Sequence, residues 1–540
     1  MRARRLYRFA YEVLGGRAKG GQKWLRNGAG IKGLLRLFEL ISQNIRAMPE
    51  INNQNIAAWL TSITPGAVGA HWAAFRMLLI LHCFSPTGTM TNTTLLSKYD
   101  VAVPRYTSYP TVPYWSEPLS SPSDWLLHVQ KAFSADRAIS LYLHLPFCDS
   151  LCTYCGCNKH ITKNHAVEHP YIQALLKEWQ MYRDALPERP ILRELHLGGG
   201  TPTFFSPENL QYLLENILKD VDVAPRHDFG FEAHPWSTSE THLQTLYDLG
   251  FRRISIGVQD FDEDLMTLVN RRQTIASVER CTEQARAIGY ESVNYDLIFG
   301  LPKQNLTHIR KTARHIARLR PDRIAFYSYA HVPWIKRSQC AYSEADLPTG
   351  AEKRTLYEAG RAWFEAEGYV EIGMDHFALP HDALYKALRN KTMHRNFMGY
   401  TPYKTQLMIG LGASAIGDSW DAFVQNEKTI AEYQRIVNEG RLPIFRSHVL
   451  DTADQQMRRH IVKLMTCFET SWKAEDMENE LLQDALHRLE PLQADGLVKI
   501  GALHLSVTAP GRNFLRNICM AFDARYWQKQ PEGKLFSQAV

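Results

Sequence analysis

The sequence predicts an α/β protein: a partial parallel β/α barrel of six units, followed by a mostly helical C-terminal domain. Three observations carry this. From residue 138, short β-rich runs alternate with longer helical patterns. The alternation repeats six times in about 210 residues, which calls for a parallel sheet. Beyond residue 370 it stops, and from Asp451 the chain reads mainly as helix. Eight units would close a full barrel, so six suggest a partial one, with an open doubly wound sheet as the alternative.

The predicted strands are Ile139–Leu145, Arg193–Leu197, Asp228–Glu232, Arg253–Val258, Val293–Phe299 and Ile324–Tyr329. The helices that follow them are Pro170–Ala185, Pro207–Leu218, Ser239–Leu249, Ala276–Ile288, Leu306–Leu319 and Ala351–Glu367. Gly250 and Gly289 stand where helices should end. In either architecture ligands belong at the C-terminal ends of the strands. The chain divides into a basic extension (1–89), a segment expected at the substrate site (90–137), the barrel (138–370), a connecting region expected to contribute to the site (371–450) and a helical domain with a small hairpin (451–540).

Composition narrows the function. The chain has 540 residues, 45% hydrophobic and 22% charged, which excludes collagen-like and wholly disordered classes. The net charge of +6 belongs to the extension: residues 1–89 hold twelve Lys/Arg and three acids, so the rest is mildly acidic. No transmembrane span is evident, because the most apolar run (66–84) is broken by His71, Arg76 and His82, and no secretory signal, because the basic region is too long and the apolar run starts too late. Everything recognisable follows Met90, so 1–89 is expected to take no part in the chemistry. Leu6–Leu40 could alternatively form a basic amphipathic surface segment. The C-terminal helices and hairpin could build a winged helix, but residues 451–495 carry ten acids against five bases, which disfavours nucleic acid.

Nine cysteines are too few for a disulfide scaffold, yet four fall within ten residues: Cys148, Cys152, Cys155 and Cys157. They follow the first strand, on a loop where such a fold places its site. A structural zinc usually draws two ligand pairs from separate places. Here C-x3-C-x2-C puts three thiolates on one loop, which suits one iron–sulfur cubane and leaves its fourth iron open. Zinc is the alternative. Cys157 could be a fourth ligand, a mechanistic thiol or packing.

This motif after a first strand is the signature of the radical S-adenosylmethionine (SAM) superfamily. From about Ser97 onward the chain resembles the oxygen-independent coproporphyrinogen III dehydrogenases (anaerobic-type oxidases). The resemblance rests on Pro104–Thr111 (PRYTSYPT), Tyr142–Cys148 (YLHLPFC), Cys152–Lys159 (CTYCGCNK), Leu197–Thr203 (LGGGTPT), Gly257–Phe261 (GVQDF), Val269–Arg271, Asp296–Gln304, Tyr329–His331, Gly373–Ala378, His394–Phe397 and Arg516–Met520.

The resemblance implies one [4Fe–4S] cluster held by Cys148, Cys152 and Cys155, with Cys157 not a ligand. It implies Tyr142, Gly199, Glu232 and Ile416 around a cluster-bound SAM, and Tyr154, Gly200, Thr201, Gln259, Arg271, Asp296 and Ala330 around a second SAM. No acid or base catalyst is assigned. The reaction implied is oxidative decarboxylation of two propionates of coproporphyrinogen III to vinyl groups, giving protoporphyrinogen IX for haem biosynthesis. It needs an electron donor and an electron acceptor that the sequence does not name. A monomer in a reducing cytoplasm is expected.

Glu232, Gln259 and Asp296 sit at predicted strand ends, where a polar residue is more often a site than core. Arg105, His394 and Arg395 are expected carboxylate partners, since guanidinium pairs bidentately with carboxylate. The chain departs from the family's usual pattern at Trp236, where arginine is common, and at Ala521, where a cysteine can occur; Tyr154 stands where phenylalanine is also usual. Rival readings are a haem chaperone of the same superfamily, a zinc-stabilised DNA-binding protein and, more distantly, a haem-directed radical SAM methyltransferase.

Overall fold

The computed structural model describes residues 95–531 and Phe536. The expectations for residues 1–89 lie outside them.

All six predicted strands form: β1 (Ala138–Leu145), β2 (Ile191–Gly199), β3 (Asp222–Ala233), β4 (Arg253–Gln259), β5 (Ser292–Phe299) and β6 (Arg323–Ser328). They pair in sequence order, each parallel to the next. The sheet also holds members the sequence did not reveal. A seventh parallel strand, β7 (Leu407–Leu411), pairs with the free side of β1. Beyond β7 run three antiparallel strands, 416–418, 422–426 and 444–449. Beyond β6 lie two more, 376–378 and 370–373. The result is one open twelve-stranded sheet, so the barrel is partial, as expected. Residues 370–449 thus supply six of its strands.

The helices stop and start where local chemistry dictates. Ser206 caps 207–218 through the Asn209 amide. Ser239 with His242, Thr274 with Ser277, Asn305 with His308 and Thr349 with Glu352 close reciprocal capping boxes on four of the helices that follow. Gly289 ends 275–288 with φ +116°, a left-handed turn that costs glycine least.

The two faces of the sheet differ, and this difference positions the site. Ile139, Leu141, Leu143 and Leu145 of β1 alternate with Ser140, Tyr142 and His144; the apolar set joins the helices in one core. Phe229 and Phe231, Ile254 and Ile256, and Val293, Tyr295 and Leu297 continue it. The opposite face is a polar ladder. Ser140 donates to Glu194 at 2.6 Å, Arg253 to Asp228 at 2.9 Å, Ser255 to Asp296 at 2.8 Å and Arg323 to Asp382 at 2.8 Å. Buried polar groups must be partnered; the first three pairs join neighbouring strands, and Arg323 reaches the cap of helix 383–389.

Burial pushes the Glu194 carboxyl from its ordinary value of 4.5 up to about 8. The unfolded chain gives up that proton first. Stability from the protonated carboxyl is therefore complete at acid pH and lost as pH rises through about 8. Glu194→Gln is expected to flatten the pH dependence of unfolding by up to about 3 kcal/mol between about pH 5 and 8. Urea denaturation at both ends of that range checks it.

The C-terminal region packs its own core, in which Val103, Tyr106 and Tyr109 of the N-terminal segment join Ile461, Leu489 and Ile518. Helices 452–467 and 480–494 accompany a three-stranded sheet in the order 469–471, 504–507, 498–500. The anticipated hairpin has one more strand than its sequence suggests. Among the described residues, no helix is long and apolar enough to cross a membrane.

Candidate active site at the C-terminal ends of the strands

The ends of β2 to β6 and the loop after β1 enclose a cleft of about 820 Å³. The cysteine loop is pinned at both ends. Phe147–Cys148 pairs with His160–Ile161. The Thr153 amide donates to Val269 O at 3.0 Å, and Asn270 Nδ2 to Leu151 O at 2.7 Å. The Val-Asn-Arg motif therefore braces the loop as well as supplying Arg271.

Cys148, Cys152, Cys155 and Cys157 all line the cleft. Cys148 lies 3.4 Å from Thr201 Oγ1, and Arg271 Nη1 donates to Cys152 Sγ at 3.6 Å. The Cys157 thiol, donating to Cys155, and the nearby Lys159 ammonium pull Cys155 down to about 5, against the opposing effect of burial. Among the described residues, no three His, Cys, Asp or Glu side chains draw together as ligands of one ion would. In a cubane each thiolate takes a different iron, so its ligands stand farther apart. Three thiols of one loop around one cleft fit that donor set.

The glycine run after β2 is a cradle. The Gly200 amide donates to Leu145 O and the Thr201 amide to Phe147 O, both at 2.9 Å. A Cβ on Gly200 would fall 2.6 Å from the Pro146 carbonyl and 2.7 Å from Phe147 O. Gly199 has φ +114°, and a Cβ there would meet the His144 ring at 2.8 Å. Only glycine lets the strand end lie this close to the cysteine loop.

The remaining predicted residues fall into two groups. In the first, Glu232 accepts from the Gly199 amide at 3.2 Å, and Tyr142 and Glu232 both flank Gly198. Tyr142 is opposite Gly410 of β7, which lies against the Ile416 backbone. In the second group, Arg271 Nη1 donates to the Tyr154 hydroxyl at 3.1 Å, and its Nη2 donates to Gly257 O. Gln259, at φ +67°, presents Nε2 close to Gly257. Asp296 accepts from Ser255 and Asn294, and burial pushes it up to about 6. Gln339 ties the Tyr154 and Ala330 carbonyls together at 3.1 and 3.2 Å. Every predicted cofactor residue lines the cleft except Tyr142 and Ile416.

Sequence reasoning missed Ser255, Asn294, His234 and Gln339. The polar alternation along β4 and β5 could have found the first two; the loop residue Gln339 has no such signal. Trp236 stands in the cleft wall, 59% exposed.

The expected carboxylate partners separate. Arg105 pairs with Asp375 at 3.2 Å and lines a small cavity of about 50 Å³ with Arg354, Arg512 and Arg516. Ser328 lines both this cavity and the cysteine cleft. Arg395 is buried against the Tyr400 ring, 4.4 Å from its centre, with one Nη unpartnered. His394 lines neither; it opens on a different groove.

A cysteine loop and glycine cradle at the strand ends of a partial β/α barrel define the radical SAM class, and the model of the Radical SAM superfamily matches residues 142–316. An oxygen-independent coproporphyrinogen III oxidase from Pseudomonas aeruginosa is 37% identical over 439 residues, covering 79% of this chain and 95% of that protein. The Escherichia coli protein of the same name is 36% identical over 452 residues, covering 83% and 98%. The solved structure of coproporphyrinogen III oxidase from Escherichia coli, described as a radical SAM enzyme, superposes with a TM-score of 0.74 at 35% identity, covering 78% of this chain and 97% of that one. The chain belongs to the oxygen-independent coproporphyrinogen III oxidase family.

Proposed function

We propose that this chain converts coproporphyrinogen III to protoporphyrinogen IX by oxidative decarboxylation of two propionates, with a [4Fe–4S] cluster on Cys148, Cys152 and Cys155 and two SAM molecules. The observation that carries it is the convergence of three thiols, a glycine cradle and two polar groups on one cleft. When bound, cluster and SAM supply a carbon radical that takes hydrogen from the propionate. The chain's own residues position these groups. Gly199 with Glu232, backed by Tyr142 and Ile416, forms one SAM subsite. Tyr154, Gly200, Thr201, Gln259, Arg271, Asp296 and Ala330 form the other. The Arg271 guanidinium also lies beside Cys152, where it offsets thiolate charge. Cys157 stays a non-ligand.

Arg105 and Arg395 are the propionate partners in this reading, Arg105 by exchanging Asp375 for a substrate carboxylate. Each vinyl group leaves one carbon dioxide and one electron to be removed, so an electron donor and a separate acceptor are partners. Residues 1–89 stand outside this machinery. A monomeric enzyme in a reducing cytoplasm fits an oxygen-sensitive cluster.

Asp296→Asn is expected to remove one of two SAM equivalents bound per chain. Equilibrium dialysis with labelled SAM checks this: two equivalents in the wild type and one in the variant support the assignment, and two in both contradict it. Formation of the vinyl product under anaerobic conditions tests the reaction itself.

A further inference from the structure

A second and larger groove, of about 1220 Å³, lies at the other end of the sheet. Ala138 and Arg193, at the starts of β1 and β2, line it, whereas the cysteine cleft lies at the strand C-terminal ends. Helix 452–467 and the strand 469–471 form its other wall.

Its chemistry is unlike that of a packing defect. Tyr403, Trp420 and Trp472 supply aromatic surface. The Trp472 side chain is buried, and its indole N–H has no hydrogen-bond partner. Four cations surround these rings: Arg193, Lys404, Arg459 and Lys463. The Lys404 ammonium stands 4.6 Å from the Trp420 ring centre, and the Arg193 guanidinium 5.5 Å from that of Tyr403. None of the four has a carboxylate partner among the described residues. The acids of the groove already have partners within its lining: Asp136 the Ala138 amide, Glu469 the further cation Lys391, and Asp476 the Lys473 amide. Burial, then Arg458, Lys463 and Arg459, lower the pKa of Lys404. Clustered like charges cost free energy that a polyanion would relieve.

A ligand that matches has aromatic pyrrole rings for the aromatic faces and several carboxylates for the separated cations. The volume exceeds the roughly 300–1,000 Å³ of ordinary small-molecule pockets. We infer that this groove is a second tetrapyrrole site, seating the ring against Trp420 and Tyr403 with its carboxylates on Lys404, Lys463, Arg459 and Arg193. The choice of a tetrapyrrole rests on the proposed reaction; the site's preference for an aromatic polyanion rests on the groove.

The test is a fluorescence titration of the cluster-loaded full chain with coproporphyrin III, the oxidised ring that does not turn over. The wild type is expected to bind two equivalents. Lys404→Glu/Lys463→Glu is expected to lose one, with affinity at least tenfold weaker, while turnover stays unchanged. Lys404→Arg/Lys463→Arg is expected to retain both, which guards against a folding defect. Protoporphyrin IX, with two carboxylates instead of four, is expected to bind the groove more weakly. Binding of coproporphyrin III that charge reversal leaves unchanged overturns the inference. So does a charge-sensitive site filled by ATP and not by the porphyrin. A chain that makes no vinyl product yet keeps the charge-sensitive porphyrin site leaves the groove standing and sinks the reaction alone.

Discussion

Replacing Cys152 with alanine is expected to reduce protoporphyrinogen IX formation to the level seen without enzyme, and to lower bound iron and sulfide in step. Cys152 is central for two reasons. It is the middle thiol of the loop, and it is the cysteine that Arg271 reaches, at 3.6 Å. In the proposed site its loss removes a cluster ligand, and it leaves a buried guanidinium without that partner. Cys157 is the control. It lines the same cleft but is exposed, and it serves Cys155 as a hydrogen-bond donor. Cys157→Ala is expected to keep its cluster. Iron and sulfide analysis of both variants checks the pair. A Cys152→Ala protein with full cluster content contradicts the ligand assignment.

Gly200→Ala is expected to have an effect nearly as large by a different route. The new methyl group would collide with the backbone of Pro146 and Phe147 at 2.6 to 2.7 Å. Backbone cannot swing aside as a side chain can, so the strand end or the cysteine loop has to move. That shift breaks the paired bonds from Gly200 and Thr201 to Leu145 and Phe147, and with them the close approach to SAM that the proposed site requires. SAM affinity is expected to fall at least about tenfold, as misplaced positioning groups do in other sites. The strands away from the cleft should remain folded. Isothermal titration with SAM, together with a circular dichroism melt, separates the two effects; wild-type affinity contradicts the cradle.

Much of this was legible in the sequence. The six strands of the barrel reveal themselves because each carries an alternating apolar set against the helices, and Leu306–Leu319 and Pro207–Leu218 match their predicted bounds because caps and amphipathic pattern agree there. β3 begins six residues before its predicted start, since 222–227 are largely exposed and lack the alternation. β7 and the short antiparallel strands at both edges were missed. Segments such as 376–378 and 416–418 have three residues each, too few for a period to show. The site divides in the same way. The cysteines, the glycine run and the strand-end carboxylates are local signals. Arg105 with Asp375 is a contact across 270 positions, and the Gln339 bridge between Tyr154 and Ala330 depends on how two loops meet. No spacing rule reaches either. The placement of His394 on the far groove has the same cause: its strand pairs with 399–401, away from the cleft.

The most direct measurement is an anaerobic assay of the reconstituted chain with SAM, a one-electron reductant, an electron acceptor and coproporphyrinogen III, separating the products by chromatography. The account predicts protoporphyrinogen IX, with methionine and 5′-deoxyadenosine released as it forms. A chain that holds its cluster and cleaves SAM, yet leaves all four propionates intact, would contradict it.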